Sequence, residues 1–563
     1  FSLFLLIGVN ASASHIMGAN ITYECAGPGR YIVVLTMFRD CGGIAAEGSQ
    51  VLNYKSAQCG VNSSITLSKF AGPIDVTPIA QSCGIPSKCA SSSGQYGVQK
   101  VVYRGTLTLP AGCGNDWVLW WDLCCRNAAI NTLSNAANQS TYIETKLDNT
   151  LSVCNNSPVF LNDPIAYYCV NQNVIYNHGV TDADGDSLVF SLIAPRDING
   201  VQVTYSTPYG PTNPIATASG FNLNSANGDI TFTPTQVQTG VTGVLVQEYR
   251  NGVLIGSIVR DIQFTILNCN NNLPTASGIN GTNSYVDSIC AGAQISFTVN
   301  SADADAGQIV SMSWNNAIVG ASFTTTTGNR PTGTFSWTPP LNTPTGNYIF
   351  TVKVEDNACP LRGSNIYSYT VYVKPNPNPP VVGGGSQTIC EGQQVTLSAT
   401  TQATNGVAYS WTDGQTTFPG QTVTVSPLTT TVYTVSLSYT DGCTSSDNVL
   451  VKVNNKPTVV VFPPAPTICA GGSIQLTASS PTATGFTWTP TGAGLSCTNC
   501  ASPIASPSTT TTYQVVGTDA SNCPSDPVSV TVTTSTPPPS ASCEVIYVTT
   551  AGTGDGTKQN PTN

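Results

Sequence analysis

Ser288-Ile-Cys290-Ala-Gly292, Thr388-Ile-Cys390-Glu-Gly392 and Thr467-Ile-Cys469-Ala-Gly471 are three copies of one phrase. Each runs into an alternating stretch: Gln294–Val299, Gln394–Ala399 and Ser473–Ala478. Apolar side chains at every second position mark a strand with one buried face. Each copy then reaches a tryptophan (Trp314, Trp411, Trp488) and, after an aromatic strand, a second cysteine (Cys359, Cys443, Cys523). In the last two copies Pro427, Tyr433 and Cys443 keep the spacing of Pro507, Tyr513 and Cys523. Repetition at this interval predicts tandem domains of about 80–100 residues, the size of an immunoglobulin-like β-sandwich. The three tryptophans read as core residues of a central strand, with a sugar-binding platform as the competing reading.

Working outward from the repeats, proline-rich joints divide the chain. Asn268–Pro274, Lys374–Pro380, Lys456–Pro466 and Thr536–Pro539 are such joints, and segments of this composition are extended and semi-rigid. They bound three immunoglobulin-like repeats at 273–375, 381–455 and 458–534. Before them lie a cysteine-rich β domain at 14–154 and a cadherin-like or immunoglobulin-like sandwich at 155–272. In the latter, Arg250-Asn251-Gly252 carries a hairpin turn between two strand candidates. The expected fold class is therefore all-β, with tandem sandwiches in an elongated array. Phe1–Val9 is an apolar core followed by Ala11-Ser12-Ala13, so residues 1–13 read as part of a signal peptide. Residues 543–563, one strand and a glycine-rich loop, read as the start of a further domain.

Composition narrows function. Charged residues make up 9% of the chain, against about 25% in an average soluble protein. The formal net charge is −10, which argues against a nucleic-acid partner because nothing would neutralise a run of phosphates. No internal apolar run is long enough to span a bilayer. Twenty cysteines beside two histidines point to an oxidising, extracellular compartment. The expected disulfides are Cys290–Cys359, Cys390–Cys443 and Cys469–Cys523 within the repeats, on the premise that both cysteines of a repeat lie at one end of the sandwich. Cys497–Cys500 is expected as a local bridge, since no second cysteine pair or histidine completes a zinc site. Cys169–Cys269 would bracket the second domain. Eleven cysteines precede residue 270, so one of them pairs outside its region or stays free. Adjacent Cys124 and Cys125 are expected to take separate partners if the strand at Trp117–Leu123 continues through them.

Candidate chemistry is sparse. Thr181-Asp182-Ala-Asp184-Gly-Asp186 sets three carboxylates at alternate positions around a glycine turn, an arrangement that can converge on a hard cation such as calcium. Asp303-Ala-Asp305 repeats part of it. The bland account of both is a turn whose aspartates bond their own backbone. His178 reads as a strand-end hydrogen-bonding residue. No nucleophile elbow, histidine pair or phosphate loop is present in the sequence, so no catalytic residue is assigned.

The amino-terminal motifs are Ser14-His-Ile-Met-Gly18, Ile21-Thr-Tyr-Glu-Cys25, Phe38-Arg-Asp-Cys41, Asp122-Leu-Cys-Cys-Arg-Asn127, Glu248-Tyr-Arg-Asn-Gly252 and Arg260-Asp-Ile-Gln-Phe264. Together with Val180–Asp186 they resemble the amino-terminal region of large secreted Bacteroidetes surface proteins. Those proteins carry PKD-like or immunoglobulin-like repeats and are associated with gliding motility and type IX secretion; Phe486–Cys523 is similar to their PKD-like repeats. The tail Ile546–Pro561 resembles the opening of right-handed parallel β-helix domains. The resemblance implies a non-catalytic exported cell-surface protein, an adhesion or spacer module that presents a downstream domain to an extracellular protein or polysaccharide surface. The alternative it implies is a carbohydrate-active enzyme whose catalytic β-helix lies beyond residue 563.

Overall fold

The computed structural model describes residues 15–535 apart from 80–82, 152–153, 375–379, 402–406, 441 and 491–493. The expected signal peptide and the expected further domain at 543–563 lie outside the described residues. The chain is all-β and divides into two compact units, residues 1–375 and 376–563.

The first unit opens with seven strands: β1 (Ile16–Gly27), β2 (Arg30–Asp40), β3 (Ser49–Ser56), β4 (Val61–Asp75), β5 (Val98–Thr108), β6 (Trp117–Leu123) and β7 (Thr141–Leu147). They pair in the order β1-β2-β5-β4-β3-β6-β7. Period-two alternation sends Tyr31, Val33, Leu35 and Met37 of β2 inward, with Leu119 and the indoles of Trp117 and Trp121 from β6. An indole buries 150–250 Å², roughly 4–6 kcal/mol each at ~25 cal/mol/Å² before ordering costs.

The two ends of this run meet on one strand from the second domain. Val253–Leu267 pairs along one edge with Gln238–Arg250, and its other edge takes β7 at Gly256–Ile258 and then β1 at Arg260–Ile262. The sheet thus closes on itself, and strands on either side of residues 154/155 belong to it together. The hairpin joining Gln238–Arg250 to Val253–Leu267 turns on Asn251 and Gly252, both at positive φ (53° and 79°). That is the two-residue turn whose twist matches paired strands.

Polar residues of the amino-terminal motifs lock this seam. Arg126 donates to Asp261 at 2.7 Å, with both side chains buried. Arg260, also buried, donates to Asn20 and to the carbonyl of Asn162, and lies 3.9 Å from the Phe160 ring centroid. The remaining core of the second domain is aromatic: Phe221 stacks on Phe232 at 4.9 Å, and Phe264 packs edge-on to both.

The repeats are sandwiches. In residues 273–375 one four-stranded sheet contains Ile295–Ala302 and Thr332–Trp337; the other contains Val286–Cys290, Ser364–Lys374, Gly346–Glu355 and Ser311–Trp314. Trp411 and Trp488 are fully buried in the cores of the two later repeats, and Trp314 packs half-buried against Phe335 and Phe350. The repeated Cys-x-Gly phrase is a turn leaving the first strand. The amides of Ala293, Gln393 and Gly472 donate to the carbonyls of Cys290, Cys390 and Cys469. Gly292, Gly392 and Gly471 stand third in these turns at φ 84°, 76° and 86°, a conformation glycine adopts without penalty.

This phrase also overturns the expected disulfides within the repeats. The first strand of each repeat pairs parallel to the last, so Cys290, Cys390 and Cys469 face Lys374, Asn454 and Ser535, where the last strand ends. Cys359, Cys443 and Cys523 precede the start of that strand. The two cysteines of a repeat therefore lie roughly 25–35 Å apart at ~3.3 Å per residue, far beyond disulfide reach. Cys359 is bonded instead to Cys83, which is the odd cysteine of the amino-terminal region. Cys390 is bonded to Cys523 of the next repeat, with Cα atoms 5.4 Å apart. Cys290, Cys443 and Cys469 are disulfide-bonded as well. The remaining bridges are Cys25–Cys154, Cys41–Cys89, Cys59–Cys113, Cys169–Cys269 and Cys497–Cys500. Cys124 and Cys125 are joined to each other, contrary to expectation: β6 stops at Leu123, so strand alternation never reaches them.

Candidate functional site

The acidic turn follows the short strand Val180–Thr181 and leads into Ser187–Ile193. Gly185 at φ 80° makes the reversal. Asp182 Oδ1 accepts from the amides of Asp184 and Asp186, both at 2.9 Å, which is the self-bonded turn of the bland reading. Its Oδ2 is buried and meets no donor.

The three aspartates do not share one role. Asp184 turns away to accept from the amide and side chain of Asn156, both at 2.8 Å. Asp186 is held by Arg250, whose Nε and Nη2 reach Oδ1 and Oδ2 at 2.9 and 2.5 Å. The third carboxylate near Asp182 is Glu248, which stands opposite Leu188 on the strand Gln238–Arg250 and is fully buried. Asn155 donates to Glu248 Oε1 at 2.7 Å, while Oε2 has no partner. Asp182, Asp186 and Glu248 each bring one oxygen to within 4.8 Å of the others.

Electrostatics follow from that crowding. Burial, with the charges of Asp182 and Asp186 added, pushes the Glu248 carboxyl up to about 9. Burial also raises Asp182. Tyr23, beside Glu248, is raised by burial and by that carboxylate, and its hydroxyl has no partner.

The turn at Asp303 and Asp305 is built on the same plan. Asn272 donates twice to Asp305, as Asn156 does to Asp184, and Asn271 donates to Asp356, as Asn155 does to Glu248. The Gln308 amide donates to Asn271 and Asp305 where Arg250 bonds Asn155 and Asp184. The deep acid differs. Both oxygens of Asp356 are taken, by the amides of Ala358 and Gly363 and by Asn271. Sequence reasoning missed Asn155, Asn156, Glu248, Arg250 and their counterparts. The signal lay in the recurrence of Asn-Asn-x-Pro at 155–158 and 271–274.

His178 is buried; burial and the Arg260 guanidinium hold it well below the usual histidine value. A cavity of about 260 Å³ beside Cys169–Cys269 and Cys359 is lined by residues including Tyr96, Tyr167, Gln172 and Arg362. Its walls carry no carboxylate and no imidazole.

Two family models match the repeats: a putative immunoglobulin domain at residues 279–372, and the CHU_C-associated immunoglobulin-like domain at 377–457. The chain is an immunoglobulin-like repeat protein. Similar solved structures include the amino-terminal four immunoglobulin domains of Dscam1 isoform 1.9, at 12% identity over 67% of this chain and 99% of that one. Titin domains I67–I69 align at 12% identity over 53% and 98%, and the human desmocollin-1 ectodomain at 13% over 78% and 89%. Their TM-scores of 0.15, 0.20 and 0.18 are too low to carry an argument. No curated protein sequence matches the chain. Among the described residues no helix is long and apolar enough to cross a membrane.

Proposed function

We propose that this chain is a non-catalytic cell-surface module, a spacer that presents adhesive surface or a further domain to an extracellular protein or polysaccharide. The observation that carries this reading is the Cys390–Cys523 bridge, which ties one sandwich to the next. A link across 133 residues contributes about 5 kcal/mol in the chain-entropy model, and it removes freedom between neighbouring domains, which a spacer under load requires. No free cysteine occurs among the described residues, which supports an oxidising compartment. Arg126, Arg260 and Asp261 of the amino-terminal motifs are taken up in closing the β1–β7 sheet, which gives these three a structural role. Within this reading, those motifs point to exported Bacteroidetes surface proteins of the gliding-motility and type IX secretion kind.

The test is twofold. Proteinase treatment of intact cells producing the chain should remove it while cytoplasmic markers survive. The purified protein should release no reducing ends from a panel of acidic and neutral polysaccharides. Protection in intact cells, or steady polysaccharide cleavage, would refute the proposal.

A further inference from the structure

We propose that Asp182, Asp186 and Glu248 form a divalent-cation site of calcium's class, at the junction where residues 154–158 enter the second domain. The inference goes beyond the spacer reading and stands without it. Its ligand set differs from the three alternate aspartates of the sequence motif, because Glu248 takes the place of Asp184.

In Asp182 and Glu248 one oxygen is pinned and the other is open: Oδ1 by the turn amides, Oε1 by Asn155. One carboxylate oxygen from each of Asp182, Asp186 and Glu248 lies within 4.8 Å of the others, and Arg250 holds the Asp186 carboxylate in place. Glu248 is 0% exposed, so its open Oε2 has no access to solvent as a partner. A buried oxygen with no donor is destabilising, and a buried charge more so, unless something fills the role. The space beside it is kept open by Gly256, which faces Glu248 across the strand pair. A Cβ there would lie 2.7 Å from Glu248 Oε2 and 3.1 Å from the Tyr23 hydroxyl, itself without a partner. The Arg250 guanidinium bonds Asp184 and Asp186, while Asp182 and Glu248 have no ion pair among the described residues. All the open donors are hard oxygens, with no nitrogen or sulfur, and irregular carboxylate cages of this kind suit calcium better than octahedral magnesium. The parallel turn at Asp303 supplies the contrast: Asp303 Oδ2 is open as Asp182 Oδ2 is, but both oxygens of Asp356 are bonded and Gly307 stands where Asp186 does, so three carboxylates do not converge there.

A bound cation would tie the Asp182 loop to the long hairpin and, through Asn155 and Asn156, to the segment entering the domain. The test uses the full chain after chelator treatment, titrated with calcium chloride by calorimetry and followed by thermal melts with and without calcium. One saturable site and a higher melting temperature in calcium are expected. Glu248→Gln and Asp182→Asn, both nearly isosteric, should weaken binding at least tenfold; Asp184→Asn should keep it within about threefold. Circular dichroism checks folding, and if Glu248→Gln fails to fold, Asp182→Asn against Asp184→Asn still decides. Absent calcium heat with superimposed melts would overturn the proposal, leaving a proton on Glu248 as the only occupant. Loss of binding in Asp184→Asn with retention in Asp182→Asn would overturn the ligand set. Equal affinity for magnesium would overturn the assignment to calcium's class.

Discussion

Removing Asp261 should cost more than removing any surface charge on the chain, and the structure sets the scale. Its carboxylate meets Arg126 Nη2 at 2.7 Å, and side-chain exposures of 1% and 4% leave water no route to screen the pair. Asp261→Ala strands a buried guanidinium whose remaining contact is the Arg196 carbonyl at 3.1 Å. Breaking one side of such a pair costs about 3–5 kcal/mol. At no more than about 2–4 °C per kcal/mol, the scale for 150–250 residues, the compact unit of residues 1–375 should melt lower by at most about 6–20 °C. The pair stands where β1 and the strand Val253–Leu267 meet, so the loss should open the closed sheet, and amides of β1 should lose hydrogen-exchange protection first. Arg126→Leu combined with Asp261→Leu removes both charges and should recover most of the loss, because well-packed apolar replacements of buried pairs are often neutral. Scanning calorimetry of Arg126→Leu, Asp261→Leu and the double variant is the assay. A double variant whose loss equals the sum of the singles would refute the reasoning, since it would show no coupling across the seam.

Three further outcomes are expected. His178 is held neutral by burial and Arg260, so its folded pKa lies below its unfolded one. The stability it contributes is complete above the unfolded value near 6.5 and is lost as pH falls below it; urea midpoints from pH 8 to 5 should show that limb, and His178→Gln should flatten it. Trp411→Ala should destabilise its repeat by about 3–5 kcal/mol and leave any polysaccharide binding unchanged, because the indole is fully buried; glycan-array loss in a folded variant would restore the platform reading. Gly392→Ala forces a side chain to φ 76° and should cost about 1–2 kcal/mol in a denaturant titration, whereas Gly485→Ala, in open space without positive φ, should cost far less.

The strands and the repeats were legible because their information is local: alternation at Gln394–Ala399, Asn251-Gly252 at a turn, a tryptophan following each Cys-x-Gly phrase. Pairing was not. Whether the first strand of a repeat runs parallel or antiparallel to the last depends on crossover geometry, and that alone decides which end of the sandwich Cys390 occupies. The closed sheet was hidden for a similar reason, since Arg260 and Asp261 stand over a hundred residues from their partners Asn20 and Arg126. The acidic turn was half legible. Asp182 and Asp186 advertise themselves by spacing, while Glu248 sits in an apolar strand where only the fold brings it to the turn.

Cys390–Cys523 and Cys83–Cys359 leave their repeats, where a sandwich closed by its own first and second cysteines would not. Non-reducing proteolysis of the oxidised, alkylated full chain, with the linked peptides identified by mass spectrometry, tests this directly. The predicted spectrum contains the peptide of Cys390 joined to that of Cys523, and the peptide of Cys83 joined to that of Cys359. Peptides joining Cys390 to Cys443, or Cys469 to Cys523, would contradict the parallel first strand and the cross-linked spacer built on it.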